Sequence, residues 1–242
     1  MPSLDHIAAA EQELDALCGA VVAGPVTAPV LTCPDWTVAD LAIHVGQFCG
    51  FWAHVLCEGA GRPKPPVPDA PTGDAIGPWF ADVSPILIAE LRATPPDTEV
   101  WTWYPPDRTA RFVARRAAHE LAIHRYDAQS ARGTCEPIEA FLATDGIDEL
   151  FGTLVIARER SGAATGQTLH VHGTDDGVPA EWLVTLTSDA IDVRREHGKG
   201  DLALRGATSD LELLLYDRPT LGPVERLGDP SVLDAWYREF TF

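Results

Sequence analysis

The sequence predicts an α+β protein in two unequal parts, a helical bundle followed by a smaller mixed domain. Apolar residues recur at helical spacing in four long segments before about residue 132. Clusters of glycine and proline separate those segments, and from Ile138 onward the pattern changes to short alternating runs. At 242 residues the chain can bury a substantial core, and its 45% hydrophobic and 22% charged residues are those of an ordinary globular protein. Its 36 acidic against 18 basic residues give a net charge of -18, which repels a phosphate backbone or an anionic membrane. Nucleic acid and membrane are therefore not expected partners. The opening Met1-Pro2-Ser3-Leu4-Asp5-His6 lacks the basic region and apolar run of a secretory signal. No stretch approaches the roughly 18 apolar residues of a membrane span, so a cytoplasmic location is expected.

Leu4, Ile7, Leu14, Leu17 and Val21 mark a first helix from about Ser3 to Val22, ending near Gly24-Pro25. Thr37 can cap a second helix, with Asp40 in its first turn where negative charge is favoured, and Gly59 stops it after Glu58. On it Leu41, His44, Phe48 and Phe51 recur every three or four residues, which predicts that His44 points inward from an apolar face. The prolines at 63, 65, 66, 68, 71 and 78 predict a long stiff loop over 59 to 78, of a kind that often serves as a lid. A third helix is expected from Ile76 to Ala93, stopped by Pro95-Pro96, and a fourth from Thr109 to Arg132, ending at Gly133. Trp101, Trp103 and Tyr104, between these helices, are candidates for a cleft mouth or for packing against their neighbours.

The domain boundary falls near 133 to 138, dividing the chain into 1–135 and 136–242. A helix to about Arg158 should precede strands at Thr168–His172, Trp182–Thr187, Ile191–Arg194 and Leu202–Arg205. Thr187-Ser188-Asp189-Ala190 reads as a hairpin turn. Helices at Ser209–Asp217 and Ser231–Phe240 complete the second domain. The five cysteines, at 18, 33, 49, 57 and 135, include no C-x-x-C pair and read as reduced, with Cys18, Cys49 and Cys57 expected to be buried.

The stretch His119-Glu120-Leu121-Ala122-Ile123-His124-Arg125-Tyr126-Asp127-Ala128 carries the chemistry. Glu120 and His124, four apart on a helix, stack on one face and can close on one cation. His119 lies about 100° round the helix and is not expected to share it. His44 from the second helix would complete an N, O, N set that suits zinc or a similar divalent ion and leaves a position open. Each residue also has a plain structural use: His44 as a hydrogen-bonded core histidine, Glu120 and His124 as a surface ion pair. Asp127 is a candidate partner for the His124 imidazole, or a solvated helix-end carboxylate. His170 and His172 share a strand face, with no third ligand for a second ion apparent.

The segments Trp36-Thr37-Val38-Ala39-Asp40-Leu41-Ala42-Ile43-His44 and Ala118 to Ala128 together resemble the mycothiol-dependent maleylpyruvate isomerase family, part of a wider DinB-like superfamily of metal-binding bundles. That resemblance implies a DinB-like four-helix bundle followed by a sterol-carrier-like α+β domain. It implies zinc ligands at His44, Glu120 and His124, and mycothiol as cosubstrate. The helix Leu213-Leu214-Leu215-Tyr216-Asp217-Arg218 is similar to a family helix ending in arginine, but has Tyr-Asp where a Trp and a small residue are expected. It makes Arg218 the candidate catalytic residue, pairing with a thiol or substrate carboxylate, against a plainer role at a helix C-terminus. Arg205, at a strand end, has a weaker claim.

The implied activity is isomerisation of the maleylpyruvate type or thiol S-transfer. A thiolate would add to a conjugated double bond, allow rotation and leave, or remain attached in a transferase. Cys49 lies on the opposite side of the second helix from His44, Cys57 lies more than three turns further along, and neither Cys33 nor Cys135 has a base nearby in sequence, so the reactive sulfur is expected to arrive with the soluble thiol. The alternatives are a metal-dependent hydrolase using bound hydroxide and a noncatalytic small-molecule binder.

Overall fold

In the computed structural model the described residues are 4–61, 69–157, 164, 166–188 and 190–240. The first helix, α1 (His6–Val22), opens where the Asp5 carboxylate accepts from the N–H groups of Ile7 and Ala8, both at 3.1 Å. The expected start at Ser3 lies outside the described residues. No basic residue occupies the last turn of α1. Arg132 supplies the missing cation from a distance, donating to the carbonyls of Ala20, Val21, Gly24 and Pro25 at 2.9–3.2 Å.

Thr37 and Asp40 form a reciprocal capping box that starts α2 (Val38–Glu58), and Gly59, at φ 77°, ends it. The expected third helix is two: α3 (Ile76–Val83) and α4 (Pro85–Ala93). Pro85 has no N–H to continue the ladder, so the break falls at Ser84. Pro78 is tolerated because it lies in the first turn of α3. A 3₁₀ turn, Gly73–Ala75, lies inside the expected loop, whose proline-rich part at 62–68 is outside the described residues. Helix α5 (Ala110–Ser130) opens at Thr109, whose hydroxyl accepts from the Phe112 N–H, and Gly133 at φ 68° follows it.

These helices make one compact unit that ends at Glu136. Helix α1 packs along α5, and α2 packs on α3, α4 and α5. Leu14, Leu17, Leu41, Val45, Cys49, Leu87, Leu91, Val113 and Leu121 form the core between them. Inside it Arg125 of α5 donates to the Glu13 carboxylate of α1 at 2.7 Å, and to Gln129 Oε1 and the Glu136 carbonyl at 2.8 and 2.6 Å. A buried cation is thus matched by a carboxylate and further oxygen acceptors.

A second compact unit begins at Pro137. Helix α6 (Ala140–Glu149) runs into a π-helical turn, Leu150–Leu154; the expected end at Arg158 lies outside the described residues. Strands β1 (Gln167–Gly173), β2 (Glu181–Leu186), β3 (Ile191–Arg194), β4 (Leu202–Gly206) and β5 (Glu225–Gly228) form one sheet in the order β3-β2-β1-β4-β5. Only β1 and β4 run parallel. Leu169, Val171, Trp182, Val184, Leu202 and Leu204 are buried at alternating positions, the period expected of a sheet with one core face. Helix α7 (Thr208–Leu215) packs on β1 and β4. Helix α8 (Ser231–Glu239) anchors to the end of α7, where the Trp236 indole donates to the Leu215 carbonyl at 2.8 Å. The polar, four-residue β5 has no apolar alternation and was not expected.

The chain is of the α+β class, with a helical N-terminal region. Among the described residues no helix is long and apolar enough to cross a membrane.

Candidate metal centre

Helix α5 carries Glu120 and His124 on one face, and α2 brings His44 against them. Glu120 Oε1 stands 3.1 Å from His44 Nε2 and 3.4 Å from His124 Nε2, and one donor atom from each of the three residues lies within 4.8 Å of the others. Neighbouring donors in a tetrahedral shell with bonds of about 2.1 Å are about 3.4 Å apart. The three side chains therefore fit a small divalent ion with little movement. His119, one residue from Glu120, is buried elsewhere, its ring set edge-on to His6 at 6.0 Å.

One expectation about this group needs correction. His44 does not point into the core: its side chain is 41% exposed. The deep stripe of α2 is Leu41, Val45, Cys49, Trp52 and Leu56, and His44, Phe48 and Phe51 flank it. The flanking position lets His44 face Glu120 on one side and solvent on the other. The cysteine expectation also fails in part. Cys49 is buried, but Cys18 is only half-buried and Cys57, round the helix from that stripe, is exposed.

Three side chains hold the group in place. Arg116, one turn before Glu120 and 5% exposed, donates to Glu120 Oε2 at 2.8 Å, leaving Oε1 to the histidines. Asp127, fully buried, accepts from His124 Nδ1 at 2.9 Å, which leaves Nε2 turned toward Glu120. The same Asp127 oxygen accepts from the Cys33 thiol at 3.4 Å. Trp36 covers both imidazoles, tilted on His44 at 5.1 Å between ring centres and stacked on His124 at 6.4 Å. Asp35, at φ 67°, turns the chain so that Trp36 reaches this position just before the Thr37 cap.

The electrostatics follow from this arrangement. Burial alone would raise the Glu120 pKa; the Arg116 guanidinium, then hydrogen bonds from His124 and His44, hold it well below the usual carboxylate range. Burial alone would lower the His124 pKa, but hydrogen bonds to Asp127 and Glu120 push it up to about 9.

Sequence reading singled out the three donors and Asp127 but missed the parts played by Arg116, Trp36 and Cys33. Arg116 could have been found, since it stands four residues before Glu120 on the same helix face. The approach of Cys33 to Asp127 spans 94 residues and has no local signal. Among the aromatic candidates, Trp101 packs on Phe51 and Trp52, while Trp103 and Tyr104 pack on Phe112, so their neighbours are other rings of the bundle.

Arg218 lies in the second unit, 6% exposed, and donates to the Tyr216 carbonyl at 2.7 Å. It follows a Schellman turn in which its N–H bonds the Leu213 carbonyl, the Asp217 N–H bonds the Leu214 carbonyl, and Asp217 takes φ 59°. The unexpected Tyr-Asp is thus the sequence of that turn, with Asp in the left-handed position. Arg218 also lines a cavity of ≈ 510 Å³ with Asp217, Arg226, Leu233, Asp234 and Tyr237.

Residues 7–129 match the family described as the mycothiol maleylpyruvate isomerase N-terminal domain. No curated protein gives a significant match. The family match covers half of the chain and includes all three donors, and the chain belongs to the mycothiol maleylpyruvate isomerase N-terminal domain family, a family of mycothiol-related, metal-binding enzymes.

Proposed function

We propose that this chain is a mycothiol-dependent enzyme that holds one divalent metal, zinc by the character of its donors, on His44, Glu120 and His124. The reaction we propose is isomerisation of the maleylpyruvate type or S-transfer to a small electrophile. The observation that supports this reading is the meeting of three donors from two helices at separations suited to one ion, with His44 open to solvent. Three protein ligands leave a coordination position for a substrate group. A divalent ion there would favour the thiolate form of an incoming thiol, the form that attacks carbon electrophiles.

The protein's own groups have definite tasks in this reading. Arg116 fixes the carboxylate plane of Glu120. Asp127 holds the His124 ring so that Nε2 is the ligating atom. Trp36 packs on both imidazoles and helps to set their orientation. None of the five cysteines is assigned as nucleophile. Burial raises the pKa of both Cys18 and Cys49, which keeps them as thiols, and the Cys33 thiol is directed at Asp127. Arg218 is proposed to pair with a carboxylate of thiol or substrate. We also propose a sterol-carrier-like character for the second unit.

The test is metal analysis of the purified protein, then turnover with electrophile panels in the presence and absence of mycothiol. A loss of about one metal per chain in His44→Ala and in His124→Ala relative to the natural chain, with turnover only when thiol is present, is the expected result. Full metal content in both variants would move the site elsewhere. Turnover independent of thiol would favour a hydrolase.

A further inference from the structure

A second group of metal-ligating side chains lies on the sheet. His170 and His172 alternate with Leu169 and Val171 on β1, so both imidazoles stand on the other face of the sheet, His170 buried and His172 half-buried. Strand pairing sets Glu181 of β2 directly across from His172. A fourth side chain, His197, comes from the segment between β3 and β4. One oxygen, Glu181 Oε1, lies 3.0 Å from His170 Nε2, 2.9 Å from His172 Nδ1 and 2.6 Å from His197 Nδ1. One donor atom from each of the four residues lies within 4.8 Å of the others.

The segment that carries His197 is pressed onto the sheet at several points. Arg195 stacks over the Trp182 ring at 4.5 Å and reaches Asp148 at 3.3 Å. Gly198 lies against Leu183, where a Cβ would sit 2.6 Å from a terminal methyl and require that side chain to shift. Gly200 likewise backs onto β1, where a Cβ would lie 2.8 Å from the His170 backbone nitrogen. His197 is 79% exposed, between Arg195, held on Trp182 and Asp148, and Gly200, which backs onto β1. The positive group nearest in register, Arg205 opposite His172, is drawn off by Glu225 at 3.3 Å.

We propose that His170, His172, Glu181 and His197 form a second metal site, for a borderline divalent ion such as zinc, cobalt or nickel. Three imidazoles and one carboxylate are the donors such ions prefer over the oxygen-only shells of magnesium and calcium. Three imidazoles converging on a single oxygen leave their attractions unshared, whereas a cation among them engages all four donors. Widening the three contacts by about 0.4–0.8 Å brings the carboxylate oxygen to the spacing of about 3.4 Å in a tetrahedral shell. Four protein ligands close that shell, so the ion is structural: it staples the 195–200 segment to β1 and β2.

The inference does not depend on the proposed activity, and its test is made where the first group cannot contribute. In a His44→Ala/His124→Ala background, Zn²⁺ or Co²⁺ is titrated at pH 7.5, followed by bound metal after dialysis and, for Co²⁺, by the visible absorption of a tetrahedral site. One ion per chain is expected. Glu181→Gln should weaken its binding at least tenfold, and His172→Ala/His197→Ala, two substitutions outside the core, should abolish it. In the otherwise natural chain, His197→Ala should halve a total of two ions while leaving thiol-dependent turnover unchanged. Absence of bound metal in the His44→Ala/His124→Ala background, or binding unaffected by His172→Ala/His197→Ala, would overturn the proposal.

Discussion

Metal uptake at the His44, Glu120 and His124 group should release a proton, and the structure sets how much and over what range. The His124 pKa is raised to about 9, so its Nε2 carries a proton at neutral pH and must lose it to ligate. At pH 7 only about one molecule in 100 has the free nitrogen. Observed affinity should therefore rise about tenfold per pH unit between 7 and 9 and level off above. Glu120 adds nothing to the slope, because it stays ionised throughout. Calorimetric titration with zinc in buffers of different ionisation enthalpy measures the protons released: about one near pH 7.5, about half at 9. Sheet-site uptake is removed by working in His172→Ala/His197→Ala. Replacing Asp127 with Asn removes a hydrogen bond that raises His124, and release at pH 7.5 should fall well below one. The metal-free protein carries the opposite sign. A raised folded-state pKa stabilises fully below the unfolded value of 6.5, and that contribution is lost as pH rises through about 9. Zero proton release in the His172→Ala/His197→Ala background, or release unchanged there by Asp127→Asn, would refute the assignment of His124 as a protonated ligand held by Asp127.

Other expectations concern single contacts. Arg125→Ala strands the buried Glu13 carboxylate and should destabilise the metal-free protein by about 3–5 kcal/mol in urea unfolding, with much of the loss recovered in Glu13→Leu/Arg125→Met. Gly46→Ala drives a Cβ to 2.6 Å from the Trp79 ring and should cost about 1–3 kcal/mol by the same assay; a neutral result would mean that Trp79 moves freely. Arg218→Ala should raise the Michaelis constant for thiol or acid substrate with metal content unchanged, and unaltered kinetics would return Arg218 to its bond with the Tyr216 carbonyl. Replacing all five cysteines should leave metal content and thiol-dependent turnover intact. Loss traced to Cys33 alone would make its contact with Asp127 part of the chemistry.

Legibility differed between parts of the molecule for physical reasons. The bounds of α2 were readable because Thr37, Asp40 and Gly59 act on backbone groups within a few residues of themselves. The direction of His44 was not, because Phe48 and Phe51 look apolar in sequence whether they lie in the core stripe or beside it. A 3.6-residue period defines a face but not which edge of that face meets the next helix. Pro85 was read through because its neighbours Ile86, Leu87 and Leu91 keep the helical pattern on both sides of the break. Strand β5 gave no signal, since all four of its residues are exposed and only pairing with β4 defines it.

The two histidine groups make the same point about chemistry. Glu120 and His124 announced themselves because a helix brings residues four apart together, so spacing alone places two ligands. His170 and His172 gave the equivalent signal for a strand, two residues apart on one face, and sequence reading stopped there for want of a third donor. The missing donors arrive through strand register in one case and loop packing in the other. Glu181 lies opposite His172 because β1 and β2 pair as they do, and His197 comes near because two glycines let its segment touch the sheet. Neither relation has a fixed sequence separation. A pair of histidines at strand spacing is therefore weak evidence by itself, but becomes a testable site once the register places a carboxylate across from it and a glycine-flanked loop brings a third imidazole to the same oxygen.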